Sequence, residues 1–335
     1  MVGGVLTSPL EVVKTRLQGT YNKEGLANTQ HRFGTRTVRA LTHLHAEGGV
    51  RALYRGMVPH LVGVVPARAL YFGTFSWSKR ELGKQLELDP HGMLLNWLGG
   101  VAAGVVTITL TSPVWVVKTR LQLQVGNGKG SVAPGTGVRQ YRSAWHCVTS
   151  MMRHEGPRAF FAGMSASYVG ISESSIQFML YEKFKSLIKQ RRVRQCEEAW
   201  QLELQRRRRA HTAAAPFDHD ADPELVQLSE LARSAAASSI GAWETLGISS
   251  TAKLVASVLT YPHEVARTRL REERAKELYG GFVNCVRVVW RNEGLAGLYG
   301  GLAPHLLRVV PNAAIMFLTY EAVLSLFDPS SSATR

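Results

Sequence analysis

Cysteine is scarce in this chain, negative charge is scarce, and catalytic signatures are missing. The three cysteines, Cys147, Cys196 and Cys285, are odd in number and far apart, which excludes a disulfide framework and a cysteine metal site. No Walker A loop, HExxH pair or nucleophile elbow occurs, so the chain is not expected to be an enzyme or to hold a metal or cofactor. Its 335 residues carry 25 Asp and Glu against 40 Lys and Arg, a net charge of +15. The bases are spread along the chain rather than gathered in one domain, which speaks against nucleic-acid binding. Attraction to anionic lipid head groups, or a positive cavity that draws in an anionic solute, suits the distribution better. Long apolar runs are few as well. Met93–Val117 is free of Asp, Glu, Lys and Arg, enough for roughly 30 Å of hydrocarbon. Mean hydropathy is only −0.06, which on its face favours a soluble protein.

What the chain does have is repetition. Thr7–Gln18 reads TSPLEVVKTRLQ, Thr111–Gln122 reads TSPVWVVKTRLQ, and Thr260–Arg271 reads TYPHEVARTRLR. A block of this length does not recur by chance, so the chain is a threefold repeat. Pro9 and Pro113 are 104 residues apart, Pro113 and Pro262 149, which places an insertion in the second interval. A second block keeps the period: HLVGVVPARALYF at His60–Phe72, HLLRVVPNAAIMF at His305–Phe317, and a diverged SYVGISESSIQFMLYE at Ser167–Glu182. Each repeat thus holds two long apolar segments joined by a polar stretch, six segments in all.

A membrane bundle fits these segments better than a soluble helical repeat. Leu246–Val265 and Leu302–Phe327 are apolar but carry charges, as spans around a water-filled cavity would. Gly100 and Gly104 form GxxxG, and Ala252 and Ala256 share that spacing, which lets membrane helices approach closely.

The pattern P-x-[DE]-x-x-[KR]-x-[KR], three times over, resembles the mitochondrial carrier family. Pro9/Glu11/Lys14/Arg16 and Pro262/Glu264/Arg267/Arg269 match in full, while Pro113/Lys118/Arg120 has Trp115 where the acid would be. The family's acid–glycine and aromatic–base–glycine elements are matched by Glu47–Gly48 with Tyr54–Arg55–Gly56, which has one extra residue, and by Glu155–Gly156 with Phe161–Gly163 and Glu293–Gly294 with Tyr299–Gly301, where Ala162 and Gly300 replace the base. The strings LVGVVPARALYF, GISES and TRLREE resemble the branch that carries pyrimidine nucleotides. YPHEV is shared with NAD carriers, and FAD and folate carriers belong to the same branch.

The resemblance implies an all-α membrane protein of six transmembrane helices in three pseudo-threefold-related repeats, each with a short matrix helix. The repeats are expected at 1–85, 86–189 and 241–328, with a charged insertion at 190–240. The implied activity is exchange of nucleotides across the mitochondrial inner membrane, with a transport-inactive scaffold as the reading from another class. Pro9, Pro113 and Pro262 would kink the odd-numbered helices. A matrix gate would form from Glu11 with Lys118 and Glu264 with Lys14, braced by Gln18 and Gln122, with Arg271 in the third brace position. Arg267 would face Trp115 in a cation–π contact. The competing reading makes these charges snorkelling surface anchors. Substrate contacts are expected at Gly63, Arg68, Gly170, Ile171 and Arg308, with glycine leaving room for a base and arginine forking a phosphate. The competing reading makes Arg308 a structural ion pair and Gly63 a packing glycine. An incomplete outer ring would comprise Lys79, Glu182, Lys185 and Glu321. Membrane lipid, specifically cardiolipin, is the expected partner of a monomer, with no nucleic acid.

Two departures from the family pattern stand out. Only eight residues precede Pro9, so the outer half of the first helix is expected to be missing, and no cleavable presequence is visible. The insertion, with Arg191–Arg194, Arg206–Arg209 and then Asp218, Asp220, Asp222 and Glu224, is expected to be a solvated loop with one short charged helix. Its arginines could instead bind anionic lipid or an acidic partner. The Gly126–Gly137 stretch reads as a flexible loop, since no Lys–Ser/Thr follows at phosphate-loop spacing.

Overall fold

The computed structural model describes residues 2–20, 35–87, 89, 92–124, 139–211, 241–309, 311–312 and 315. Glu321, the Gly126–Gly137 stretch and the acidic part of the insertion lie outside the described residues. The first repeat contains α1 (Val2–Leu6), α2 (Ser8–Gln18), α3 (Thr35–Leu53) and α4 (Met57–Gln85). The second opens with α5 (Met93–Leu123) and continues through α6 (Ala144–His154), a 3-10 turn at Pro157–Phe161, α7 (Met164–Val169) and α8 (Ile171–His211). The third has α9 (Ala242–Leu270), α10 (Ala275–Tyr279), α11 (Phe282–Leu298) and a helix over 302–309, here α12.

Among the described residues, one helix is long and apolar enough to cross a bilayer on composition alone: Leu94–Leu123, mean hydropathy 1.7. The low hydropathy elsewhere has a local cause. Val58, Val62, Val65 and Phe72 on α4, and Leu94, Trp97, Val105 and Leu110 on α5, are exposed, whereas Lys14, Arg16, Lys118, Arg120, Glu264 and Arg269 are buried. Apolar side chains face out and charges face in, the inverse of a soluble surface.

Each repeat buries a small core where its proline-motif helix meets the polar-stretch helix. Val12 and Val13 pack with Ala40, Leu44 and Ala52. Val116 and Val117 pack with Tyr141, Cys147, Met151 and Phe160. Ala266 and Leu270 pack with Tyr279, Cys285, Val289 and Leu298. The apolar residue just before each first motif base, Val13, Val117 or Ala266, thus fixes the facing of the charges that follow. Burial pushes the Cys147 and Cys285 thiols up to about 12, so both stay protonated near neutrality. A maleimide at neutral pH should therefore modify Cys196 and spare the other two, as peptide mass spectrometry would read out. Equal labelling of all three would contradict this packing.

The repeats interlock through one glycine each. Gly56, Gly163 and Gly301 have φ of 75°, 72° and 80°, and stand just before α4, α7 and α12 respectively. A Cβ on them would lie 3.0 Å from the Lys118 carbonyl, 3.0 Å from the Arg267 carbonyl and 2.8 Å from the Lys14 carbonyl, respectively. Both the left-handed backbone and the backbone contact exclude a side chain. The first repeat thereby touches the second, the second the third, and the third the first.

The chain divides into two units, residues 1–173 with 258–335, and residues 174–257. All contacts given so far lie in the first. In the second, a single nitrogen of Arg192, Nη2, donates to both carboxylate oxygens of Glu244 at 2.5 Å. A cleft of about 710 Å³ there is walled by Phe184, Leu187, Ile188 and Ile248, with Arg191 and Arg194 at its rim. The expected short helix within the insertion needs correction, because residues 190–211 continue α8 without a break. No Gly or Pro occurs between Ile171 and His211, and the run is rich in Arg, Glu, Gln and Leu, which are strong helix formers. Arg206 is exposed on this extension.

Candidate functional site: an interlocked ring of charges

The Pro-x-acid-x-x-base spacing places acid and first base one helical turn apart, so each helix offers an acid to one neighbour and a base to the other. Lys118 Nζ lies 2.7 Å from Glu11 Oε1, joining repeats one and two. Lys14 Nζ lies 2.6 Å from Glu264 Oε2, joining repeats three and one. Arg308, on α12, reaches the same Glu11 at 3.0 Å.

The seam between repeats two and three is built differently. Trp115 brings no carboxylate, and the cation over its ring is Lys118 of its own helix, 5.0 Å from the centroid. Arg267 turns to Glu264 of its own helix at 3.3 Å. The expected Arg267–Trp115 contact is therefore corrected: a carboxylate one turn away on the same helix outcompetes a ring face, and Trp115 Nε1 is tied to Thr111 Oγ1 at 3.0 Å.

The braces follow the threefold order. Thr15 donates to Gln122 Oε1 at 2.9 Å, and Thr268 to Gln18 Oε1 at 2.8 Å. In the third position Arg271 donates to Thr119 Oγ1 and to Ser167 Oγ, both at 3.3 Å. Gln18 also donates to the Tyr261 hydroxyl at 3.0 Å.

Sequence reasoning missed two further sets. The second motif base closes a buried pair within each repeat: Arg16 with Glu47 at 2.7 Å, Arg120 with Glu155, and Arg269 with Glu293 at 2.6 and 2.7 Å. The same guanidinium donates through Nε to a carbonyl of the neighbouring repeat, on Gln122, Arg271 and Gln18 respectively. The signal was present, since Glu47, Glu155 and Glu293 each open the acid–glycine element. The second set is His60 and His305, whose Nδ1 atoms lie 2.9 Å from Lys118 Nζ and 2.8 Å from Lys14 Nζ. They head the two HLxxVVP blocks in equal register.

The glycines expected at substrate contacts face neighbouring helices. A Cβ at Gly63 would lie 2.8 Å from Val114 Cγ1, and one at Gly170 2.8 Å from His263 Nε2. The room expected beside them is filled by α5 and α9. Ile171 packs against Gly104, 3.4 Å from where a Cβ would sit. Arg68 is exposed on α4. Of the outer set, Lys79 is half-buried on α4, Glu182 is half-buried on α8, and Lys185 lies over the Tyr181 ring, 5.5 Å from its centroid.

A helical chain with exposed apolar flanks, buried charges and three repeats closed into a ring is a membrane carrier of the three-repeat class. The chain belongs to the mitochondrial carrier family, described as Mitochondrial carrier protein, whose model matches residues 1–86, 89–192 and 238–331. It is therefore an all-α membrane protein with six transmembrane helices. Among curated proteins it is similar to Mitochondrial carrier protein rim2 of Schizosaccharomyces pombe, at 35% identity over 97% of this chain and 86% of that protein. Mitochondrial pyrimidine nucleotide transporter RIM2 of Saccharomyces cerevisiae is 34% identical over 98% and 83%. Solute carrier family 25 member 36-A of Danio rerio is 37% identical over 98% and 94%.

Proposed function

We propose that this protein is a mitochondrial inner-membrane antiporter that exchanges pyrimidine nucleotides by alternating access, with the charge ring as its matrix gate. The observation that carries the reading is a surplus of cations in that ring. Among the described residues, the ion pairs of Lys14, Lys118, Arg267 and Arg308 run to the carboxylates of Glu11 and Glu264, four cations to two acids. A ring that merely held the repeats together would balance its charges. A surplus suits a phosphate chain, which can draw cations away from their carboxylates. Substrate opens the gate through its greater affinity for the parted state. A pyrimidine nucleotide substrate agrees with the name of the Saccharomyces cerevisiae relative.

In this reading Arg308 and Arg68 take phosphate, and Gly63, Gly170 and Ile171 set the helix spacing around the path. Pro9, Pro113 and Pro262 remove backbone donors where the gate helices must flex. The ring closes within one chain, which supports a monomer, and cardiolipin is the lipid we assign to the apolar flanks.

Competition tests the substrate class. In liposomes exchanging labelled UTP, external UTP and CTP should compete strongly and NAD weakly. Stronger competition by NAD would move the protein to the cofactor carriers of the branch.

The third seam gives a separate prediction. Trp115→Glu supplies the missing carboxylate opposite Arg267 and should slow turnover about threefold to fivefold, the worth of one partly exposed pair. Unchanged initial rates would mean that Arg267 stays with Glu264.

A further inference from the structure

The gate lysines have a second partner that charge pairing does not require. A lysine ammonium only donates, so Nδ1 of His60 and of His305 must accept, and each imidazole is held neutral with its proton on Nε2. Nε2 of His305 is buried without a hydrogen-bond partner among the described residues. A histidine kept merely for packing would not leave that atom orphaned and direct its other nitrogen at an ammonium.

The arrangement recurs by symmetry. His60 and Glu11 of the first repeat hold Lys118 of the second, and His305 and Glu264 of the third hold Lys14 of the first. In the second repeat Ser167 occupies the histidine register and accepts from Arg271 at 3.3 Å. The groups facing His60 are Lys118, Glu11, Trp115 and Arg308. Those facing His305 are Lys14, Glu264, Arg308, Glu173 and Tyr261.

We propose that His60 and His305 are positioning residues of the gate, each a neutral latch that holds the lysine of the following repeat on its carboxylate. The inference rests on the gate reading above. Protonation of either imidazole would remove the acceptor and set a second positive charge beside the ammonium. Two of the three seams are therefore latched and the third is not.

Deuterium exchange over segments 11–18 and 118–122, in protein held in nanodiscs and corrected for the chemical exchange rate, tests this without transport. Lowering pH from about 7.5 to about 4 passes below the ordinary imidazole range, as it must when charging either ring sets a second cation beside an ammonium 2.8–2.9 Å away. Wild type should lose protection about tenfold over that range, in line with loss of a hydrogen bond to a charged group. The double variant His60→Leu/His305→Leu should already be deprotected at the higher pH. His60→Gln/His305→Gln, whose amide oxygen accepts but does not titrate, should stay protected at both. In liposomes the leucine pair should raise KM for external nucleotide with kcat unchanged or higher, and the glutamine pair should restore it. Equal protection in all three proteins, or deprotection of the glutamine pair to the leucine level, would overturn the latch. Absence of pyrimidine nucleotide exchange alongside the expected deuterium pattern would leave the latch standing and reject the substrate.

Discussion

Arg308→Ala is expected to cut nucleotide exchange by at least about 30-fold while the protein still folds. Loss of a hydrogen-bonded charge pair at a binding interface costs about 2–5 kcal/mol, and 1.4 kcal/mol is tenfold. Folding survives because Glu11 keeps Lys118 at 2.7 Å when Arg308, at 3.0 Å, is removed. Arg308→Lys should rescue little, since an ammonium keeps the charge but not the planar fork that fits phosphate. Initial rates in liposomes, with melting followed by circular dichroism, separate the two effects. Normal exchange by the alanine variant would make Arg308 a structural ion pair only.

The second large effect is on stability. Arg269 has a side chain only 2% exposed and makes both guanidinium contacts to Glu293, with a third bond to the Gln18 carbonyl. Arg269→Met removes the cation that both Glu293 oxygens and the Gln18 carbonyl accept from. Breaking one side of such a buried pair costs about 3–5 kcal/mol, which should lower the melting temperature on the order of 10 °C. Arg269→Met/Glu293→Leu should recover part of the loss, because removing both partners leaves no orphaned charge. A single variant that melts like wild type would show that the pair contributes nothing net.

Much of this site was legible because it repeats. The resemblance to the carrier family, carried onto the three aligned motifs, implies the pairs Glu11 with Lys118 and Glu264 with Lys14, and the structure sets them at 2.7 and 2.6 Å. Arg16, Arg120 and Arg269 could also have been paired with the acid–glycine glutamates, but nothing in the intervening polar stretch says where it folds back onto the motif helix. What sequence could not supply was competition among neighbours. Arg267 had a carboxylate one turn away as well as a ring across the seam, and only three-dimensional placement decides between them. At Gly63 and Gly170 a missing side chain reads as space in the sequence, whereas Val114 and His263 of neighbouring helices stand where a Cβ would be. The insertion was read from charge alone, whereas its first half lacks any helix breaker and extends α8.

The most direct test of the central claim is uptake of labelled UTP into liposomes that hold the purified protein and are preloaded with UTP, CTP, NAD or nothing. Uptake with UTP or CTP inside, and little with NAD or with empty liposomes, is the predicted result and establishes pyrimidine nucleotide antiport. Uptake of equal size into empty liposomes, or none in any condition, would contradict it.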